Sequence, residues 1–337
     1  MLSRWKRVRY RLEWIGLLVA AKLIPLLSRK SCFHLAQMLG ALMSILDRDG
    51  YRVALNNLEV AFGNQFSIHE RRKIARESFQ HFALTMVDFL WSPNLTREIF
   101  SRYIELQNFE EAARGTGPER GLVIACCHYS NFEWISLACG FAGLTSTIIA
   151  QEFRNSLLNP IFKTIREQSG HELIPRKRGI VRLYKVLRRN GSTALLVDLT
   201  VRPRQGGVAI DCFGLKKSVT SAHAWLHERT GAPIVPAHCE PLPGGRYRVI
   251  FHPKIDNTAG MTHQQIAQAC WDSFEPYVRR NPAPWLWMYK HWRYQPANST
   301  RPYPFYANVS RRFEEILLRD QGHFVEGTSS AESASFE

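Results

Sequence analysis

Residues 122–134 read LVIACCHYSNFEW. An apolar run of small and β-branched residues stops on a histidine, His128, and a carboxylate, Glu133, follows five residues later. A short apolar run of this kind, bounded by polar residues, reads as a strand buried on both faces. The polar SN that follows can then cap a helix through FEWISLACGFAGL, with Asn131 or Ser130 as the cap. Two further stretches, STALLVD and APIVPAH, read as buried strands, and RYRVIFHPKI alternates like a half-exposed one. Helical segments such as NPIFKTIREQSG and GIVRLYKVLRRNG lie between them. Strands alternating with helices predict one α/β domain with a mostly parallel sheet.

In such a sheet, ligands bind beyond the carboxyl ends of the strands. His128 stands at one of those ends. His128 and Glu133 cannot stack on one helical face, because five residues turn a helix well past a full turn. They can meet if His128 precedes the helix and Glu133 points back from its first turn. The carboxylate would then hold one ring nitrogen while the other faces a pocket, giving an oriented general base whose nucleophile is a substrate hydroxyl. A lone histidine at a strand end is more often structural, and HxxxxE by itself is a weak pattern.

The chain has 337 residues, 45% hydrophobic and 12% aromatic, enough for a large core. Lys and Arg number 44 against 29 Asp and Glu, a net charge of +15 that suits an anionic partner. The seven cysteines are odd in number and form no CxxC pair, so free buried thiols in a reducing compartment are expected, not a disulfide framework.

At the N-terminus, MLSRWKRVRYR is basic and lacks acids, and LEWIGLLVAAKLIPLL follows. The stretch has no small-x-small cleavage site after its apolar run. A spanning helix needs ~20 apolar residues, and Glu13, Lys22 and Pro25 interrupt this one. With CFHLAQMLGALMSIL after it, residues 1–50 are expected to be a retained membrane anchor, lying in the interface or barely spanning, with the basic flank on the cytoplasmic side. The alternative is an amphipathic helical hairpin packed on the domain. The α/β domain is expected over residues 51–310, with two helices flanking a loop at 63–67 and a Ser67/Glu70 capping box. Residues 311–337 are expected to form a C-terminal helix and a polar, disordered tail, EGTSSAESASFE.

HYSNFEW resembles the H-x4-D/E motif of the glycerolipid acyltransferase superfamily, and more narrowly the form found in the late acyltransferases of lipid A biosynthesis. Other stretches are similar to that family in the same order. They include the helical NLEVAFGNQFSIHERRKIARESF and NPIFKTIREQSGHELI, with Arg166 and Gly170. ALLVDLTVRPRQGGVAIDCFGLKKSVTSAHAWLHERTGAPIVP follows, with Asp198, Phe213, Gly214 and Thr220, and then the closing NPAPWLWMYKHWR. The resemblance covers about residues 50–295. It implies acyl transfer from an acyl-carrier-protein or coenzyme A thioester to a hydroxyl of an anionic glycolipid, a lipid A precursor, at the cytoplasmic face of the inner membrane. The thioester is a co-substrate and no metal or other cofactor is implied. His128 would be the base and Glu133 its orienting partner. Backbone N–H groups after His128 would suit an oxyanion. Arg166 would hold a phosphate or the carrier's phosphopantetheine, and Asn131, Asp198, Phe213, Gly214 and Thr220 would line the substrate site.

This sequence departs from the family pattern at Ser130, Phe132, Leu199, Pro284 and Tyr289. These departures leave open another glycolipid or lysophospholipid as acceptor, or a scaffold that has lost the chemistry. Two other signals compete. RKRGIVRLYKVLRRNG clusters Arg176, Lys177, Arg178, Arg182, Lys185, Arg188 and Arg189, either a rim for lipid phosphates or an acidic carrier, or a solvated helix face. His223 and His227 lie four apart, a metal-like spacing without the HExxH arrangement. No nucleic-acid-binding motif accompanies the basic charge, so no nucleic-acid partner is expected.

Overall fold

The computed structural model describes residues 3–114, 121–255 and 258–320. Four helices come first: α1 (Arg4–Leu23), α2 (Arg29–Leu46), α3 (Arg48–Phe62) and α4 (Ile68–Trp91). Strand β1 (Ile104–Gln107) and the short α5 (Phe109–Ala113) lead into β2 (Val123–Cys126), α6 (Phe132–Phe141), β3 (Thr147–Ala150) and α7 (Asn159–Glu167). Then come β4 (Glu172–Pro175), α8 (Gly179–Leu187) and β5 (Thr193–Leu196). A hairpin of β6 (Gly207–Cys212) and β7 (Leu215–Thr220) passes through α9 (Ala222–Thr230) to β8 (Ile234–Leu242) and β9 (Arg246–Phe251). Helix α10 (His263–Arg280), the two-residue strands β10 (Tyr294–Gln295) and β11 (Asn308–Val309), and α11 (Arg311–Asp320) follow. The tail expected to be disordered, residues 326–337, lies outside the described residues.

Seven strands form one sheet in the order β1-β9-β8-β2-β5-β3-β4. From β8 to β4 the strands run parallel. Strand β9 runs back against β8, and β1 is parallel to β9. The sheet is therefore mostly parallel, as the sequence predicts. Strand β2 sits at its centre and is covered on both faces. Val123, Ala125 and Cys127 join one core, with α3, α9, α10 and the closing tryptophans. Leu122, Ile124 and Cys126 join the other, with α2, α4, α6 and β9. The period-2 alternation of a strand thus supplies two apolar layers from one uninterrupted apolar run. All seven cysteines are free and buried.

The N-terminal helices are built differently from a spanning anchor. No helix among the described residues is long and apolar enough to cross a membrane, which removes the spanning alternative. Helix α2 turns Cys32, Ala36, Gly40 and Ser44 inward, one face at i, i+4 spacing, and packs that face on α4. The contact is close because Gly40 has no side chain: a Cβ there would meet the Gln80 Cα at 2.3 Å. Helix α4 starts with the expected capping box, Ser67 and Glu70 bonding each other's backbone N–H.

One buried ion pair fixes this packing. Arg29, at the start of α2, donates through Nη1 to Asp88 Oδ1 on α4 at 2.5 Å, and through Nη2 to the Gly245 carbonyl at 2.9 Å. Asp88 Oδ2 also accepts from Tyr247 (2.5 Å) and from Asn131 Nδ2 (3.1 Å). Burial works against the Arg29 charge, but Asp88 holds its pKa above the ordinary value. Removing one partner of such a pair leaves an uncompensated buried charge, at a cost of about 3–5 kcal/mol.

Gly40→Val should force α2 off α4 and destabilise the protein by about 1–3 kcal/mol. Gly16→Val, on α1, where a Cβ meets nothing within 4 Å, should leave the melting temperature unchanged. Thermal unfolding of the two variants side by side tests the packing; equal melting temperatures would refute it.

Candidate active site

The register of β2 and β5 builds the site. Cys126 pairs with Leu196 at the carboxyl ends of the two strands. The Val197 N–H still donates to the Cys126 carbonyl, at 2.9 Å. Two residues beyond each strand end, His128 and Asp198 therefore stand side by side. The His128 Nδ1–H donates to Asp198 Oδ1 at 2.6 Å, and the His128 backbone N–H donates to Oδ2 at 3.0 Å. The imidazole is 11% exposed and the carboxylate fully buried. Nδ1 is occupied, so the tautomer is set, and Nε2 has no hydrogen-bond partner among the described residues. Phe132 packs edge-on against the ring, 4.7 Å between centroids.

The closing segment completes the carboxylate's shell. Trp285 Nε1–H donates to Asp198 Oδ2 at 3.0 Å. The same segment receives the Ser130 N–H on the Pro284 carbonyl (2.9 Å) and sends the Tyr289 hydroxyl to the Thr200 carbonyl (3.2 Å). It thus braces the turns after both β2 and β5. Burial alone would raise the Asp198 pKa. Once His128 is protonated, its charge and hydrogen bond, with Lys217 behind, outweigh burial and hold the carboxylate well below its usual range.

Here the structure corrects the sequence reading. Glu133 does not orient His128; Asp198 takes that position. Glu133 sits in the first turn of α6 and turns to Arg166 on α7, which donates from Nη2 to Oε1 (2.6 Å) and from Nε to Oε2 (3.0 Å). This two-point fork is the geometry a guanidinium favours. Arg166 is flanked by Phe89 and Phe162, at 5.5 and 5.6 Å from the ring centroids. Its charge is therefore matched by Glu133, so it does not stand as the free phosphate hook the sequence suggested.

A model of bacterial lipid A biosynthesis acyltransferases matches residues 3–294. The chain belongs to that family. A phosphatidylinositol mannoside acyltransferase of Mycobacterium tuberculosis is 29% identical over 178 residues, 51% of this chain and 54% of the relative. The enzyme of a second strain of that organism matches equally. The chain thus spans about half the length of the curated relatives it matches. Among solved structures, the 1-acyl-sn-glycerophosphate (LPA) acyltransferase PlsC of Thermotoga maritima aligns with 76% of this chain and 100% of its own. The TM-score is 0.37 and the identity 14%.

The other residues singled out by the family resemblance fall into two groups. Asn131 caps α6 through Oδ1 to the Trp134 N–H (3.1 Å) and, being fully buried, also bonds Asp88. It holds the start of α6 and satisfies Asp88. Phe213 and Gly214 form the two-residue turn of the β6–β7 hairpin, both with positive φ (55° and 74°), the pattern of a type I′ turn. Phe213 packs on Trp271, Trp285, Trp287 and Trp292, one layer behind the dyad. Thr220 bonds the Ala222 N–H at the start of α9. Among the described residues, no hydrogen bond or ring contact joins Asn131, Phe213 or Thr220 to the His128 side chain. Of the N–H groups opening α6, Phe132 donates to the Ser130 carbonyl and Trp134 to Asn131, so those two are not free for an oxyanion.

His223 and His227, the pair with metal-like spacing, both lie on α9. His227 bonds the Ala232 carbonyl and Thr258, and His238 bonds His252. Among the described residues no three His, Cys, Asp or Glu side chains converge as metal ligands.

Asp198→Asn keeps the size of the side chain but removes the charge that stabilises the protonated imidazole, so turnover should fall by roughly 10³-fold or more. Glu133→Gln should lower it far less, because the Glu133 carboxylate reaches Arg166 and not His128. Single-turnover rates of the two variants decide the assignment; a larger loss for Glu133→Gln would reverse it.

Proposed function

We propose that the protein transfers a fatty acyl chain from an acyl-carrier-protein or coenzyme A thioester to a hydroxyl of a lipid A precursor. The observation that carries this reading is the His128 ring, held through Nδ1 by a buried carboxylate with Nε2 unpartnered, at the carboxyl edge of a parallel sheet. The acceptor hydroxyl gives its proton to Nε2 as its oxygen attacks the thioester carbonyl carbon. The tetrahedral intermediate collapses with cleavage of the C–S bond, and the proton on Nε2 passes to the leaving thiolate. Asp198 stabilises the imidazolium formed between the two steps. No metal is needed in this sequence of steps. A second acceptor class, another glycolipid, is favoured by the similarity to a mannoside acyltransferase.

The site is proposed to work at the cytoplasmic face of the inner membrane, with α1 and α2 lying in the bilayer interface. Trp5, Val8, Leu12, Ile15, Val19 and Leu23 form an exposed stripe along α1 at spacings of three and four. Met38, Leu42, Ile45 and Leu46 continue the exposed apolar surface on α2. Arg4, Lys6, Arg7, Arg9 and Arg11 are exposed along the first half of α1, which supports an anionic lipid surface as the partner. Asn155, in the segment after β3, donates to the Tyr10 carbonyl and to Glu13, both at 2.9 Å. That contact ties α1 to the segment that leaves the carboxyl end of β3.

Two measurements test this. Mass spectrometry of whole lipids from a host lacking the gene should show one acyl chain missing from lipid A, restored by wild type and not by His128→Ala. Loss from a different glycolipid would keep the chemistry and move the acceptor; restoration by His128→Ala would end the mechanism. Separately, Leu12→Glu with Ile15→Glu should abolish flotation with phosphatidylglycerol-containing vesicles. Undiminished flotation would rule out α1 as the membrane face.

A further inference from the structure

Behind the dyad lies a lysine with no contact to water. Lys217, on β7, is fully buried. Its Nζ donates to the Asp198 backbone carbonyl at 2.5 Å and to His291 Nδ1 at 2.9 Å. It lies over the Trp285 ring, 5.1 Å from the centroid, and over Trp271, at 5.5 Å. The His291 Nε2–H donates to the Leu286 carbonyl at 2.9 Å. Its Nδ1 is therefore a lone pair, the ring is neutral, and it stacks on Trp285 at 3.9 Å. The aromatic walls and the single carbonyl give an isolated ammonium too little compensation for burial. The nearby carboxylate supplies the rest.

The charge count follows from these contacts. Asp198 places one negative charge in a dry site. His291 is neutral, so the balancing proton sits on either Lys217 or His128. A lysine is intrinsically more basic than an imidazole by about 4 pKa units, which favours the lysine. A proton on His128 at rest would block it as a base. We propose that Lys217 is a positioning residue of the dyad: it balances the Asp198 carboxylate from behind and pins the turn after β5, so that His128 stays unprotonated and ready to accept the substrate proton. This rests on the reading of His128 as the general base.

The other titratable groups facing the cluster do not supply the balance. Cys126 and Cys127 close β2, and Cys212 lies on β6; burial pushes all three thiols up, so they stay neutral. Burial likewise raises the Tyr289 hydroxyl. Glu275 on α10 is engaged by the Phe213 N–H, by Trp271 Nε1 and by Arg279. Burial draws the Lys217 pKa down from its ordinary value, and the Asp198 carboxylate acts against that fall.

The test needs no lipid substrate. Diethyl pyrocarbonate acylates only the unprotonated imidazole, and peptide mass spectrometry reads the modification at His128 in the full chain in detergent. The modification rate is followed from pH 5 to pH 9 for wild type and Lys217→Met. In Lys217→Met the midpoint at His128 should move up by about 1 pH unit, making the rate about tenfold lower at pH values below both midpoints. An unchanged or lowered midpoint in the folded variant would overturn the proposal. If Lys217→Met does not fold, His291→Phe serves instead, since it keeps an aromatic ring against Trp285 and removes one of the lysine's two acceptors. A smaller upward shift is then expected, and none would overturn the proposal. Failure of the base reading shows separately, as turnover retained by His128→Ala with the midpoint shift intact.

Discussion

A fully buried carboxylate is tolerated only when its lone pairs are filled. Asp198 meets that condition with three donors, and each fixes a different part of the molecule. The Nδ1–H of His128 sets the ring. The backbone N–H of His128 sets the turn after β2. The Trp285 indole sets the closing segment, which reaches back to hold Ser130 on one side and Thr200 on the other. The requirement is mutual: the strands must end in register for the carboxylate to be satisfied, and the carboxylate keeps them there.

The same rule governs two more buried carboxylates. Glu133 is matched by Arg166, and Asp88 by Arg29, Tyr247 and Asn131. The second group has a consequence for the site. Arg29 opens α2, whose outer face is apolar and exposed, whereas Asn131, three residues after His128, caps α6. Asp88 touches both. The surface proposed to meet lipid and the turn carrying the proposed base are therefore joined through one carboxylate, with Trp134 stacked against Arg29 at 5.0 Å. A displacement of α2 would unsatisfy Asp88 before it disturbed the sheet.

Much of the fold was legible because its signals are local. The central strand, its capped helix, the crossover helices and the Ser67/Glu70 box all follow from periodicity and capping over a few residues. His128 was legible for the same reason, as a polar residue ending an apolar run. Its carboxylate partner was less legible: Glu133 is near in sequence, but its carboxylate reaches Arg166. The true partner is 70 residues away, delivered by the pairing of two parallel strands. The signal was present: Asp198 ends STALLVD as His128 ends LVIACC, and two parallel strands ending in ionisable residues are candidates to meet. Lys217 and Asp88 went unnoticed because a single charge in an apolar stretch carries no periodic mark. Only three-dimensional pairing shows why each is kept. On α1 the apolar residues divide between two faces, Leu17, Ala20 and Ala21 packing on the core while Leu12, Ile15 and Val19 stay exposed, and that division is not visible in a linear apolar run.

The departures from the family pattern also make physical sense around the dyad. Ser130 stands where the family commonly has glycine, and its φ of 52° lies in the left-handed region that glycine enters freely. A serine there costs roughly 1–2 kcal/mol of local strain. Its N–H on Pro284 and its carbonyl receiving Thr85 at 3.0 Å hold the backbone in place. Pro284, another departure, contributes only its carbonyl, which any residue would supply. Tyr289 contributes a hydroxyl that holds the Thr200 carbonyl. These substitutions change side chains while leaving intact the backbone bonds that align His128 with Asp198. The His128–Asp198 pairing therefore depends on the register of two strands, and of the altered side chains Phe132 is the one that packs on the His128 ring.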